Sequence, residues 1–132
     1  MEKVLVTGGG GFLGSAIVRQ LVDKGCQVKV AGRHRYEQIE QLGAVCLVGD
    51  ICDRNFTTEA CRDVDTVFHV AAKAGIWGSW SEYNRVNFEG TINVATSCLA
   101  NGVGCLVYTS TPSVVFDRAD ITGGDESLGY AR

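Results

Sequence analysis

The sequence predicts an α/β fold: a doubly wound parallel sheet of five strands in the order 3-2-1-4-5. Three observations carry this. Apolar strand-like runs alternate with helical patterns from one end of the chain to the other, which is the signature of βαβ units. The first run is followed at once by a glycine-rich stretch, Thr7 to Gly14, that opens an amphipathic helix. Right-handed crossovers between parallel strands then lead to the order 3-2-1-4-5.

The first strand is read at Lys3 to Thr7 around the apolar run Val4, Leu5, Val6. After it, Gly8, Gly11 and Gly14 stand three apart. The first permits a tight turn, the second lets backbone approach a pyrophosphate, and the third packs helix against strand. Amides at the helix start, from Phe12, Leu13 and Gly14, would face the phosphates. The helix itself carries Leu13, Ile17, Leu21 and Val22 on one side and Arg19, Gln20, Asp23 and Lys24 on the other, with Gly25 as its stop. Further strands are read at Gln27 to Ala31, Ala44 to Val48, Thr66 to Val70 and Cys105 to Thr109. The longest helix should begin near Ser79, where Ser79 and Glu82 have capping-box spacing, and end at Asn101-Gly102. Gly90 lies inside it. A mid-helix glycine costs about 0.5–1 kcal/mol against alanine, so either the sheet packs closely there or the position is a tolerated defect. Asp117 to Ser127 is polar and reads as loop.

A chain of 132 residues makes one domain that buries roughly two thirds of its unfolded surface. With 45% apolar residues, 20% charged residues and a net charge of -3, it has the composition of an ordinary globular protein. Nothing in that charge calls for nucleic acid or an anionic membrane as partner. The six cysteines are scattered, with no C-x-x-C pair and no His-x-x-x-His, so no metal site is expected and most thiols should be buried small hydrophobes. The first strand starts almost at Met1 and no apolar run approaches the ~20 residues of a membrane span. A reducing cytoplasmic setting is therefore expected.

In open α/β sheets, ligands bind outside the carboxyl ends of the strands. The candidate residues lie at such ends: Gly32-Arg33 after strand 2, Gly49-Asp50-Ile51 after strand 3, Ala71-Ala72-Lys73 after strand 4 and Thr109-Ser110-Thr111 after strand 5. NAD-selective sites place a carboxylate after strand 2. Here that place holds Gly32, followed by Arg33, His34 and Arg35. Arg33, aided by Arg35, is expected to bind a 2′-phosphate, so NADP(H) is the preferred cofactor and NAD(H) the alternative; the competing reading is a solvated basic loop. Asp50 suits the adenine amino group, with Ile51 over the base's edge, or equally the N-cap of the next short helix. His69 reads as a packed core histidine rather than a base. Trp77 and Trp80 would border a substrate cleft, which makes an apolar small-molecule substrate the expectation.

The motifs T-G-G-G-G-F-L-G, V-G-D-I, H-V-A-A-K-A-G-I-W-G, N-F-E-G-T-I-N-V and Y-T-S-T-P-S-V-V-F occur in this order. On them the chain resembles the extended short-chain dehydrogenase/reductases, over nearly its whole length. Ala71 to Trp80 and Thr109 to Leu128 look closest to the branch of the 3β-hydroxysteroid dehydrogenases, sterol-4α-carboxylate 3-dehydrogenases and 2-alkyl-3-oxoalkanoate reductases. The resemblance implies a Rossmann-type domain and NAD(P)(H)-dependent redox chemistry at a secondary alcohol or ketone. It gives Thr111 the role of hydrogen-bonding the substrate oxygen, with Ser110 and Ser113 as alternates and a plain strand-end hydroxyl as the competing reading. It gives Asn87 a supporting place in the active-site hydrogen-bond network, against a simple helix–sheet contact. Lys73 falls near the nicotinamide end, where a solvated loop lysine is equally expected.

One departure matters. The family's catalytic Tyr-x-x-x-Lys is absent: Tyr36 is followed four residues on by Glu40, Tyr83 by Asn87 and Tyr108 by Pro112, and Tyr130 stands two residues from Arg132. The expectation is thus the N-terminal part of a longer enzyme, cut before the helix bearing that pair, with a homodimer implied for the full-length protein. Cut there, strand 5 would be an unpaired edge and the isolated fragment would aggregate. A nucleotide-sugar epimerase or dehydratase shares the same first half and is the second enzymatic reading. A non-catalytic NADP-binding sensor module is the third.

Overall fold

The computed structural model describes residues 1–131. Five parallel strands, β1 (Lys3–Thr7), β2 (Gln27–Gly32), β3 (Val45–Val48), β4 (Thr66–His69) and β5 (Cys105–Tyr108), form one sheet in the order β3-β2-β1-β4-β5. Each strand end falls within one residue of its expected place. The central strands are covered on both faces, whereas β5 at the edge is exposed along its length, and the alternation along β1 assigns the faces. Val4 and Val6 pack with Val18, Val28, Val30 and Ile39 on one face, while Leu5 packs with Ile51, Val67, Val94 and Cys98 on the other. Helices α1 (Phe12–Asp23) and α2 (Glu37–Gln41) cover the first face, and α3 (Arg54–Ala60) and α5 (Gly90–Asn101) the second.

Helix α1 ends in a Schellman motif, with the Gly25 N–H donating to Val22 O at 2.8 Å and the Cys26 N–H to Leu21 O at 3.0 Å. Of the expected inward face, Ile17, Leu21 and Val22 pack on the core and Leu13 does not. Gly14 and Val18 are the buried residues, Leu21 and Val22 pack beside them, and Leu13 is 46% exposed. A hydrophobicity pattern passes over Gly14, which has no side chain to count, although it makes the closest approach.

Ser79 and Glu82 do form a capping box at the start of α4 (Trp80–Tyr83). The long helix expected from there is interrupted. Asn84–Glu89 is a π turn before α5 resumes the α-helical winding. Gly90, at the junction, is pressed by a side chain rather than by sheet backbone: a Cβ there would stand 2.8 Å from Ile51 Cδ1 and 2.9 Å from Ile51 Cγ1. After β5, a 3-10 turn at Pro112–Val115 leads into a segment without helix or strand. Of the cysteines, Cys61 and Cys98 are buried, but Cys26, Cys46 and Cys52 are only half-buried and Cys105, on the edge strand, is exposed. Among the described residues no helix is long and apolar enough to cross a membrane.

Candidate active site

The glycine loop sits where the central strand β1 leaves the sheet. Gly8 has φ +70° and lies so near β4's continuation that a Cβ would stand 2.8 Å from Ala71 N and Cα. At Gly14 a Cβ would overlap the Gly8 carbonyl oxygen and come within 2.8 Å of Gly9 Cα. The two glycines therefore let loop, helix and β4 share one small space. Helix α1 starts at Phe12 behind Gly11, which offers no side-chain cap, and has no acidic residue in its first turn. Its leading N–H groups have no intrahelical partner and sit at the positive end of the helix dipole. Such an end suits an anion.

These amides open on a cavity of about 610 Å³ at the carboxyl ends of the strands, a volume typical of small-molecule sites. Gly8, Gly11, Phe12, Leu13, Gly14, Arg33, Asp50, Ile51, Ala71, Ala72 and Lys73 all line it. Every cofactor-contact residue expected from the sequence, Asn87 excepted, thus meets in one place. The fit to a dinucleotide rests on this geometry: an uncapped helix start at the centre and a guanidinium at one end.

Arg33 is exposed on the cavity wall. Arg35, expected to assist it, is instead held by Glu40, with Nε at 3.2 Å and Nη2 at 2.9 Å from Oε1. Asp50 does not cap a helix; Asp53 does, accepting from the Asn55 and Phe56 N–H groups. Asp50 closes a turn by accepting the Cys52 N–H at 2.9 Å. That bond first, and the charges of Arg85 and Arg33 after it, hold its carboxyl below the usual carboxylate range. Ile51 reaches the cavity wall but is only 7% exposed, with its side chain against Gly90.

At the other end, the loop after β4 is fastened by Asn87, whose Oδ1 accepts the Lys73 N–H at 2.7 Å and whose Nδ2 donates to Lys73 O at 3.0 Å. The helix–sheet contact proposed as an alternative for Asn87 is therefore a helix–loop clasp. Lys73 Nζ stands 3.9 Å from Glu82 Oε2 and 5.3 Å from the centre of the Tyr83 ring. The Tyr83 hydroxyl donates to the Gly75 and Trp77 carbonyls. This holds the loop while Ile76, Trp77 and Trp80 stay exposed at 88, 85 and 79%. Thr111 is exposed and accepts the Ser113 N–H at the start of the 3-10 turn. Thr109 of the same T-S-T lines the cavity, and Thr111 does not.

Among the wall residues that sequence reasoning missed are Tyr36, Arg85 and Val86. Tyr36 lies over the loop so closely that a Cβ on Gly10 would overlap its ring. Arg85 and Val86 reach the cavity from the π turn, and Arg85 Nη2 stands 3.9 Å from Asp50 Oδ2. An aromatic four residues after the end of β2 is a readable signal for the first. Nothing in the helical pattern announces the second and third.

Comparison with known proteins agrees with this geometry. A 2-alkyl-3-oxoalkanoate reductase of Stenotrophomonas maltophilia is 50% identical over 112 residues, covering 85% of this chain and 34% of the relative. A mouse sterol-4-alpha-carboxylate 3-dehydrogenase (decarboxylating) is 38% identical over 130 residues, covering 98% and 35%. The solved UDP-glucose 4-epimerase of Thermus thermophilus in complex with NAD superposes with a TM-score of 0.85 at 29% identity, over 97% of this chain and 44% of that one. The chain spans about a third of the length of the curated relatives it matches. The profile of the 3-beta hydroxysteroid dehydrogenase/isomerase family matches residues 5–132, and the chain belongs to that family.

Proposed function

We propose that the protein binds a nicotinamide dinucleotide across the carboxyl ends of β1, β2, β3 and β4, prefers NADP(H), and serves a reductase or dehydrogenase acting on a secondary alcohol or ketone. The observation that carries this reading is the uncapped start of α1 at the glycine loop, opening on a cavity with Arg33 on its wall. The amides of Phe12, Leu13 and Gly14 hold the pyrophosphate. Arg33 alone takes the 2′-phosphate, since Arg35 is engaged by Glu40. Asp50 accepts from the adenine amino group, Ile51 flanks the base, and Ala71, Ala72 and Lys73 border the nicotinamide ribose. When bound, the cofactor supplies or accepts a hydride at nicotinamide C4. Thr111, just past the cavity wall, is the hydroxyl that the resemblance assigns to the substrate oxygen. The proton donor of that reaction is assigned to no residue of these 132, because no tyrosine here has a lysine four residues on.

The substrate class is a β-keto or β-hydroxy acid or a 3-hydroxysteroid, in line with the names of the relatives, and the exposed Ile76, Trp77 and Trp80 suit an apolar body. A homodimer of the full-length protein belongs to the same reading. An epimerase or dehydratase that retains NAD is the second reading, favoured by the likeness to solved UDP-glucose 4-epimerases.

Arg33→Ala separates the two. A charged hydrogen bond contributes about 1.5–3 kcal/mol, so NADPH affinity should fall by roughly 10- to 100-fold while NADH affinity stays within about twofold. Titration of both variants with both cofactors reads this directly. Equal losses for NADH and NADPH would sink the 2′-phosphate reading and return Arg33 to a solvated loop.

A further inference from the structure

His69 ends β4, is 1% exposed, and forms no part of the cavity wall. Its hydrogen bonds run in one direction from Thr7 to the main chain of Asn87, whose side chain then holds Lys73. The Thr7 hydroxyl oxygen receives the Val70 and Ala71 N–H groups, each at 3.2 Å, and stands 2.6 Å from His69 Nδ1. The Val70 N–H is shared with the Thr7 main-chain carbonyl at 3.3 Å, but with both N–H groups facing the hydroxyl oxygen its single proton points at Nδ1, and Nδ1 carries none. The ring proton is then on Nε2, which donates to Thr91 Oγ1 at 3.0 Å. The Thr91 hydroxyl donates to the Asn87 main-chain carbonyl, one helical turn back, at 2.7 Å. Asn87 in turn clasps both backbone groups of Lys73.

We propose that His69 is a positioning residue: a neutral imidazole, fixed in the Nε2–H tautomer, that ties the turn after β1 to the Asn87–Lys73 clasp through Thr7 and Thr91. Each of the three links from Thr7 to the Asn87 main chain has one donor and one acceptor. Flipping the tautomer would set an N–H against the filled Thr7 hydroxyl and leave Thr91 without its donor, both in a buried setting where unpaired groups are heavily penalised. The chain spans β1, β4, the π turn and the loop after β4. It therefore holds the phosphate end of the site and its nicotinamide end at a fixed separation. The π turn belongs to the same device, because Asn87 lies within it and Thr91 lies just beyond it. That the positioned groups serve a dinucleotide rests on the function proposed above; the chain of hydrogen bonds does not.

Two arms test this on the full-length protein. Nitrogen-15 NMR of the His69 ring should show a protonated Nε2 and an unprotonated Nδ1. Thr91→Val keeps the shape and removes the hydroxyl, and should speed hydrogen exchange at the Lys73 amide at least about tenfold, with Thr91→Ser restoring it. Thr91→Val should also weaken NADPH about tenfold while leaving 2′,5′-ADP, which lacks the nicotinamide half, unchanged. An Nδ1–H tautomer, or wild-type Lys73 exchange in Thr91→Val, overturns the relay. So does an equal loss for NADPH and 2′,5′-ADP, which would mean general loosening. A wild type that binds neither ligand overturns the cofactor reading instead, and the tautomer and exchange data still decide the relay.

Discussion

Gly14→Ala should abolish dinucleotide binding and destabilise the fold by about 3 kcal/mol or more, at the upper end of overpacking effects. The added methyl would overlap the Gly8 carbonyl oxygen and press on Gly9 Cα, and both are backbone atoms of the turn that β1 feeds. No rotamer change can relieve a clash between backbone groups. Relief requires the start of α1 to lift from the strand, which moves the Phe12, Leu13 and Gly14 amides away from the phosphate position. Gly90→Ala is the control. Its methyl meets the side chain of Ile51, which can turn, and alanine restores about 0.5–1 kcal/mol of helix propensity, so its effect should be much the smaller. Denaturant midpoints and NADPH titrations of both variants measure this. A Gly14→Ala protein that melts and binds like wild type would show that α1 does not pack on the loop in this way.

Acid should destabilise the protein well before its carboxylates titrate, and His69 should be the cause. Burial pushes its imidazole down to about 4 from an ordinary 6.5. The unfolded chain thus binds a proton between pH 6.5 and 4 that the folded chain refuses. The contribution is fully present above pH 6.5, declines as pH falls through that window, and levels off below about 4. Its size is on the order of 3 kcal/mol. The groups around the ring are the hydroxyls of Thr7 on β1 and Thr91 on α5 and the Tyr108 ring on β5, 5.7 Å away, none of which offers a negative charge at these pH values. The depressed carboxyls of Asp50, Glu82 and Asp125 add their own losses only at lower pH. Chemical denaturation at pH 7, 6, 5 and 4 should follow this slope, and His69→Gln should flatten it. A wild-type curve that is flat from pH 7 to 4.5 would contradict the assignment.

The sheet order was legible because strand-like runs alternate with helical patterns and the glycine loop marks where the first run ends. Local chemistry was equally readable where one residue acts on its near neighbours, as in the Ser79–Glu82 box and the Gly25 stop. What escaped depended on contacts across the fold. Asp50 and Asp53 are equivalent helix starters in the sequence, and only the turn through Cys52 decides that Asp53 caps. Arg33 and Arg35 are equivalent cations until Glu40, from α2, claims the second. The π turn leaves no mark in the hydrophobic pattern, yet it carries Arg85 and Val86 to the cavity and Asn87 to Lys73. Asn87 was singled out by resemblance, but its backbone partner across the loop could not be read from spacing.

The central claim is that one end of the sheet is a dinucleotide site, and mapping amide chemical shifts during an NADPH titration tests it most directly. Perturbed amides should cluster at Gly8–Gly14, Gly32-Arg33, Gly49–Ile51 and Ala71–Lys73, with saturation at a single affinity. Shifts confined to the opposite end of the sheet, around Lys3, Gln27, Gly43 and Asp63, or no saturable shift at all, would contradict it.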